Sequence, residues 1–402
     1  MKHNPFTPTQ IAGDELFTGR DHELLLITNC LQQTIGGNAT GFLLTGERGI
    51  GKSSLLLKVQ SSVNCNRKPK ERLLTVLITL DEKDTALSFA EKVNAALIRE
   101  KRLLQPWRQR IYDAWSVIYR IETNWFKIKP PFKSSDSSWI VIDTLADQIK
   151  GVMARFKRSH IGLLLLVDEV ERASGDLKLG ALLRRLVEQL RKIGVNKATI
   201  GLAGQLAAID KLNSDHGSAI RAFRLVKVER LRLDECRQAL SKGIELASVR
   251  NKQPIVLDDG AANWIVRTSD GYPHFLQQFA ASALDADKDG TISIDDAYNG
   301  AFGANGAIDQ LGYSYFEGMF NVECGSDIER LVLNALASET ESFLTVEEIA
   351  EFIEEAPEAV NSAVARLCET GIVERHPVRL ESCRVVSRAF ATWIQIRRSQ
   401  EA

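Results

Sequence analysis

Gly46, Gly51, Lys52 and Ser53 meet the spacing G-x-x-x-x-G-K-[ST] inside GFLLTGERGIGKSSLLLK, residues 41–58. With Glu47, Arg48, Gly49 and Ile50 between the outer glycines, the backbone can wrap closely enough for its N–H groups to face a phosphate. A helix opening at Lys52, Ser53 and Ser54 turns its positive dipole end toward the same anion. Lys52 is then expected to reach the β- and γ-phosphates, and the Ser53 hydroxyl to bind Mg²⁺. Asp168 and Glu169, which close the run IGLLLLVDE (161–169), complete the set. Asp168 is expected to hold the Mg²⁺ shell, and Glu169 to orient or deprotonate an attacking water. A nucleotide and Mg²⁺ are the ligands this set implies, and hydrolysis of the terminal phosphate the reaction. A glycine-rich turn without a ligand, and a plain strand followed by a helix cap, are the alternatives.

Such groups need a strand–loop–helix and a buried strand end to hold them. GFLLT reads as the strand and SSLLLKV as the helix beyond the glycines. Residues 163–167 are continuously apolar, as in a central parallel strand covered on both faces. With 73–80 and 199–203 as further strands and helical segments between, the expected fold class is α/β, a P-loop NTPase core with a parallel sheet. From about residue 233 strands give way to helical periodicity, which reads as a helical lid. At the C-terminus come three amphipathic helices (SDIERLVLNALA, LTVEEIAEFI, PEAVNSAVARLCETG), a hairpin (IVERHPV, ESCRVVS) and a closing helix, RAFATWIQIRR. That order is a winged helix–turn–helix. The expected domains are a nucleotide-binding core over 1–230, a lid over 231–310 and a winged helix over 322–402.

Together these motifs resemble AAA+ ATPases of the origin-recognition/initiator type, to which the STAND signalling ATPases are related. FTGRDHEL (17–24) resembles the F-x-G-R-x-x-E-L segment beside the adenine, which implies nucleotide contacts from Phe17, Gly19 and Arg20. ATIGLAGQ resembles the sensor 1 strand and would put Gln205 near the γ-phosphate. SAIRAFRLVKVERL resembles the segment that carries an arginine finger, with Arg221 and Arg224 as candidates, and implies self-association at the ATP site. The alternative is that both arginines solvate the end of the core. SDGYPHFLQQFA resembles the sensor 2 helix, entered by a G-x-P turn at 271–273 that places Pro273 and His274 on the nucleotide side. Initiator-type proteins usually have arginine after that turn; signalling ATPases often have histidine, as here. Histidine is fully charged only below about pH 6.5 unless perturbed, which points to a slow switch. Packing within the lid is the other role open to His274. The resemblance spans roughly residues 15–300 and extends to the winged helix. It implies an AAA+ switch acting on DNA or a DNA-bound partner, in replication, transposition or mobile-element defence. The alternative is a signalling ATPase whose winged helix docks a protein.

A formal net charge of −1 favours neither nucleic acid nor membrane in bulk, so any preference must be local. Residues 321–370 hold 12 Asp/Glu against two arginines, Arg330 and Arg366, which is unfavourable on a polyanion. Arg375, Arg379, Arg384, Arg388, Arg397 and Arg398 in the wing and last helix point the other way, so nucleic acid and protein both stay open. Residues 99–133 carry nine Lys/Arg against three Asp/Glu, interleaved with Trp107, Tyr112, Trp115, Tyr119, Trp125, Phe126 and Phe132. That segment suits partner or nucleic-acid contact, or packing onto the chain's own sheet. DADKDGTISIDD (285–296) fits the calcium-loop template, with Asp296 where glutamate is preferred; a lid turn capped by Ser293 is the plainer reading. The six scattered cysteines form no C-x-x-C pair, and the N-terminus lacks a signal-like apolar core. A cytoplasmic protein without membrane contact is expected.

Overall fold

The computed structural model describes residues 3–10, 13, 15–65, 72–104, 137–156, 161–215, 219–340 and 342–401. Contacts divide the chain into two units: Arg20–Glu229, and Met1–Gly19 together with Arg230–Ala402. The basic and aromatic residues between 105 and 133 lie outside the described residues. Among the described residues, no helix is long and apolar enough to cross a membrane.

The first unit runs α1 (Asp21–Ile35), β1 (Gly41–Thr45), α2 (Lys52–Cys65), β2 (Leu73–Thr79), α3 (Ala86–Leu104) and α4 (Ser137–Phe156). It continues through β3 (Gly162–Asp168), α5 (Leu179–Lys192), β4 (Ala198–Gly204), α6 (Ala207–Asp215) and β5 (Phe223–Lys227). The strands form a five-stranded parallel sheet in the order β2-β3-β4-β1-β5. β3 and β4 are buried along their whole length, which explains their lack of polar alternation. Gly201 interrupts β4 because Phe42 of β1 fills its place; a Cβ there would lie 2.2 Å from the Phe42 ring. The register sets Thr45 beside Gly204, and Val167 beside Leu202. Since all strands are parallel, the ends of β1, β3 and β4 emerge along one edge of the sheet.

In the second unit come α7 (Leu233–Asn251), β6 (Val256–Leu257), α8 (Asp259–Thr268), α9 (Pro273–Ala286), β7 (Thr291–Ile292), α10 (Ile294–Phe302) and α11 (Ala307–Leu311). The N-terminal segment belongs here by contact. The buried Phe6 ring occupies the space over Gly243 of α7, where a Cβ would lie 2.2 Å from it. The Asn4 amide donates to the Ala281 carbonyl and the Asp285 carboxylate, each at 2.9 Å. After two π-helical turns the chain forms α12 (Asp327–Ser338), β8 (Leu344–Thr345), α13 (Val346–Ile353), α14 (Pro357–Glu369), β9 (Val373–Arg375), β10 (Ser382–Val385) and α15 (Arg388–Glu401). The three strands pair antiparallel in the order β8-β10-β9. Two of these helices start where side chains satisfy the orphan amides: Ser326 caps α12, and Thr345 with Glu348 forms a capping box on α13.

Candidate nucleotide-binding site

The loop between β1 and α2 is shaped by three glycines. Gly49 and Gly51 adopt φ of +75° and +97°, left-handed values that strain any side chain. Gly46 is needed for space, since a Cβ would sit 2.5 Å from the Val228 carbonyl oxygen. Ile50 is buried and anchors the loop, while Glu47 and Arg48 are exposed. The Lys52 ammonium donates to the carbonyls of Gly46 at 2.8 Å and Glu47 at 2.7 Å. Burial lowers the Lys52 pKa, opposed first by Glu171 and then by Asp168, Glu47 and Glu169.

Arg20 stands behind this loop with only 6% of its surface exposed. Its guanidinium donates to the Ile50 carbonyl at 2.9 Å, to Glu23 Oε1 at 3.0 Å and to the Glu229 carbonyl. The resemblance placed Arg20 beside the adenine; the bonds it makes brace the loop's backbone and the start of α1.

β3 delivers Asp168, buried, at the sheet edge. Glu169 then leaves the strand with a left-handed φ of +56°, and its N–H donates to Asp168 Oδ1 at 2.9 Å. The Glu169 carboxylate is 40% exposed and takes a 2.7 Å bond from Arg172. Burial raises the Asp168 pKa, countered mainly by the hydroxyl of Ser53, which donates to its carboxylate. Ser53 and Asp168 thus offer two hard oxygens to one point beside the loop, which suits Mg²⁺: that ion takes one or two protein oxygens and fills its octahedron with water and phosphate. Among the described residues no group of three or more His, Cys, Asp or Glu could hold a metal, in keeping with such a sparse donor set.

Gln205 follows the last residue of β4 and is exposed. Its N–H donates to Glu171 Oε2 at 3.1 Å. Glu171 escaped the sequence reading, although the acidic spacing D-E-x-E in 168–171 was a signal that could have found it. Arg221 lies exposed in a 3-10 turn, Ala219–Ala222, and Arg224 is on β5 opposite Phe42, its guanidinium against the Cys30 thiol. β5 starts opposite Gly41. Both arginines therefore lie toward the sheet edge where β1 begins, away from the loop that follows its end.

The other expected residues belong to the second unit. The Phe17 carbonyl accepts from Lys242 at 3.3 Å, and Gly19, with φ of +67°, leaves room for Glu235. Pro273 opens α9 as its first residue, where a missing N–H costs nothing. His274 Nδ1 lies 3.0 Å from the Pro8 carbonyl, an acceptor, so that nitrogen carries the proton. From β9 to α15, Arg375 donates to the Leu380 carbonyl and Asn361, Arg384 pairs with Glu374, Arg388 with Asp270, and Arg397 lies over the Phe320 and Trp393 rings.

Residues 16–195 match the family described as AAA ATPase domain. Among curated proteins no sequence matches this chain. The fold is similar to that of a Walker-type ATPase of Pyrococcus abyssi, with a TM-score of 0.56 at 13% identity over 94% of this chain and 96% of that one. It is also similar to the Aeropyrum pernix ORC2 protein in its ADPNP–ADP complexes, with a TM-score of 0.58 at 14% identity over 94% of each chain. The ADP form of ORC2 gives a TM-score of 0.52 at 15% identity over 98% of this chain and 97% of that one. At such identities the likeness is one of fold.

Proposed function

We infer that this chain, whose residues 16–195 match the AAA ATPase domain family and whose fold is similar to that of the Aeropyrum pernix ORC2 protein, binds ATP and hydrolyses it as a nucleotide-driven switch. The observation that carries the reading is the convergence of the glycine loop, the Ser53–Asp168 pair, Glu169 and Gln205 at one edge of the sheet. Backbone N–H groups of 46–53 cradle the phosphates, and Lys52 exchanges its carbonyl partners for phosphate oxygens. Mg²⁺, when held by Ser53 and Asp168, neutralises charge on the transferring phosphoryl group. Glu169 orients the attacking water once its carboxylate leaves Arg172, and Gln205 donates to the γ-phosphate.

Arg221 and Arg224 lie away from their own chain's cradle, which supports their delivery to a neighbouring copy. ATP turnover per chain should then rise with protein concentration. Arg221→Ala or Arg224→Ala should abolish the rise without weakening ATP binding, and mixing the arginine variant with Lys52→Ala should restore turnover. A rate per chain that is constant with concentration and insensitive to both arginines means the site is complete within one chain. Absence of turnover under every condition, DNA included, sinks the ATPase reading itself.

At the output end the winged helix docks a protein, itself DNA-bound in the replication or mobile-element setting. Twelve acidic residues against two arginines over 321–370 oppose contact with phosphates, and most of the wing and last-helix arginines have partners inside the chain. Direct DNA contact is a second reading, favoured by the wing tip, where Arg379 is exposed between Val378 at 82% and Leu380 at 64%. DNA affinity with a steep inverse dependence on salt would select that second reading.

A further inference from the structure

Glu171 is the acidic residue near the loop for which the ATPase reading has no role. It sits in the 3-10 turn Val170–Arg172, directly after the acidic pair and in the same turn whose Arg172 holds Glu169. Val170 is fully buried, so this turn is fixed to the core by an apolar plug. The carboxylate of Glu171 crosses from β3 to the end of β4 and accepts the Gln205 N–H at 3.1 Å. Room for that crossing comes from Gly204, where a Cβ would lie 2.7 Å from Glu171 Oε2 and 3.3 Å from the Val170 Cβ. Gly204 and Glu171 therefore form a matched pair, with a missing side chain on one strand end admitting a carboxylate from the next.

We propose that Glu171 is a positioning residue, tying the turn that carries Glu169 to the end of β4 so that Glu169 and Gln205 are held in one frame. The inference rests on the ATPase reading for its consequence, since the reacting groups it aligns are those assigned above. Glu171 is also the foremost acidic influence on the Lys52 ammonium, so its carboxylate faces the loop rather than solvent alone. Misplacement of a catalytic group by about 1 Å can cost on the order of 10²-fold in rate, and this hydrogen bond spans the two strand ends concerned.

The test compares Glu171→Ala with Glu171→Gln in the full-length chain. Gln keeps an acceptor oxygen for the Gln205 N–H, whereas Ala removes it. In Glu171→Ala, kcat should fall by about tenfold or more with KM changed less than about threefold, and Glu171→Gln should restore most of the turnover. Amide hydrogen exchange supplies a second readout that needs no turnover: the Gln205 amide should exchange about tenfold faster in the Ala variant and near the wild-type rate in the Gln variant. Unchanged kcat and unchanged exchange in Glu171→Ala would overturn the proposal. So would equal damage in both variants, because charge rather than the acceptor would then matter. If the wild-type protein hydrolyses nothing, the ATPase reading falls, and the exchange measurement still decides whether Glu171 holds Gln205.

Discussion

Two loops in this chain match a ligand-binding template, and their polar groups are used in opposite ways. In 46–53, groups remote in sequence meet: the Ser53 hydroxyl bonds to Asp168, and Lys52 lies within the influence of four carboxylates. In 285–296 four of the five acidic side chains are engaged by the chain's own nitrogens. Asp287 accepts from the N–H groups of Asp289 and Gly290, Asp289 from that of Thr291, and Asp296 completes a capping box with Ser293. Asp285 takes the Asn4 amide. A template counts residue types. A ligand site also needs acceptors with spare capacity aimed at a common point, and only the first loop has that convergence.

The comparison breaks most readily at the first loop. Glu169→Gln should leave ATP affinity near wild type and lower kcat by about 10²–10⁴, the range a lost general base accounts for. Lys52→Ala should instead weaken nucleotide binding by about 10- to 100-fold, as expected for one charge-assisted hydrogen bond of about 1.5–3 kcal/mol. Titration with a fluorescent ATP analogue and a phosphate-release assay separate the two effects. Wild-type hydrolysis by Glu169→Gln would remove Glu169 from the role of base.

A buried carboxylate that belongs to neither loop sharpens the contrast. Asp270, in the turn between α8 and α9, accepts the Arg388 N–H at the start of α15 and lies 3.9 Å from the Arg388 side chain. Burial dominates, and its pKa is pushed up to about 6 despite Arg388, Arg230 and Arg384. The folded state therefore holds this proton more tightly than the unfolded chain does. The stability Asp270 contributes is complete below about pH 4 and is lost as pH rises through about 6, by about 3 kcal/mol for a two-unit shift. Asp270→Asn keeps an acceptor for the Arg388 N–H and removes the titration. Urea unfolding of wild type minus that of the variant should fall by this amount between pH 4 and pH 7.5. Parallel pH curves would show that the carboxylate is solvated well enough to ionise freely.

What was legible beforehand depended on sequence distance. The glycine loop, the acidic pair and the apolar strands are patterns of adjacent residues, and the α/β core with its parallel sheet follows from them. The insertion of β4 between β1 and β3 is not such a pattern, nor is the use of Arg20 as a brace; each depends on partners brought together by the sheet. Arg20 joins Ile50 and Glu229 from distant parts of the chain, and no local spacing reports that. Glu171 was visible as a residue type, but its bond to Gln205 exists because parallel register sets the ends of β3 and β4 together. The same limit applies to the wing arginines, whose types suggested free cations and whose partners are contributed by Glu374, Asp270 and two aromatic rings.

A smaller effect is expected beside the first loop. Thr45, the residue before Gly46, is buried, and its hydroxyl is without a hydrogen-bond partner among the described residues. Thr45→Val retains the shape and removes the orphan, so stability should rise by about 1 kcal/mol with ATP affinity unchanged. A fall in affinity would instead assign that hydroxyl to the nucleotide site.

The smallest effect is the null expected of the second loop, and it tests the rule drawn from the first. To bind calcium, Asp296 would have to leave Ser293, undoing a capping box whose loss costs about 1 kcal/mol, and Asp287 would have to release two backbone N–H groups. Its side chain is also one methylene shorter than the glutamate that grips the ion from two sides. Addition of 1 mM Ca²⁺ should therefore leave the melting temperature unchanged within error. A site with a Kd tenfold below that concentration would stabilise the native state by about 1.4 kcal/mol, enough to move the transition by several degrees. A saturable rise of that size, lost in Asp285→Ala, would show that carboxylates already bonded to their own backbone can still be recruited, and that local satisfaction does not exclude a ligand.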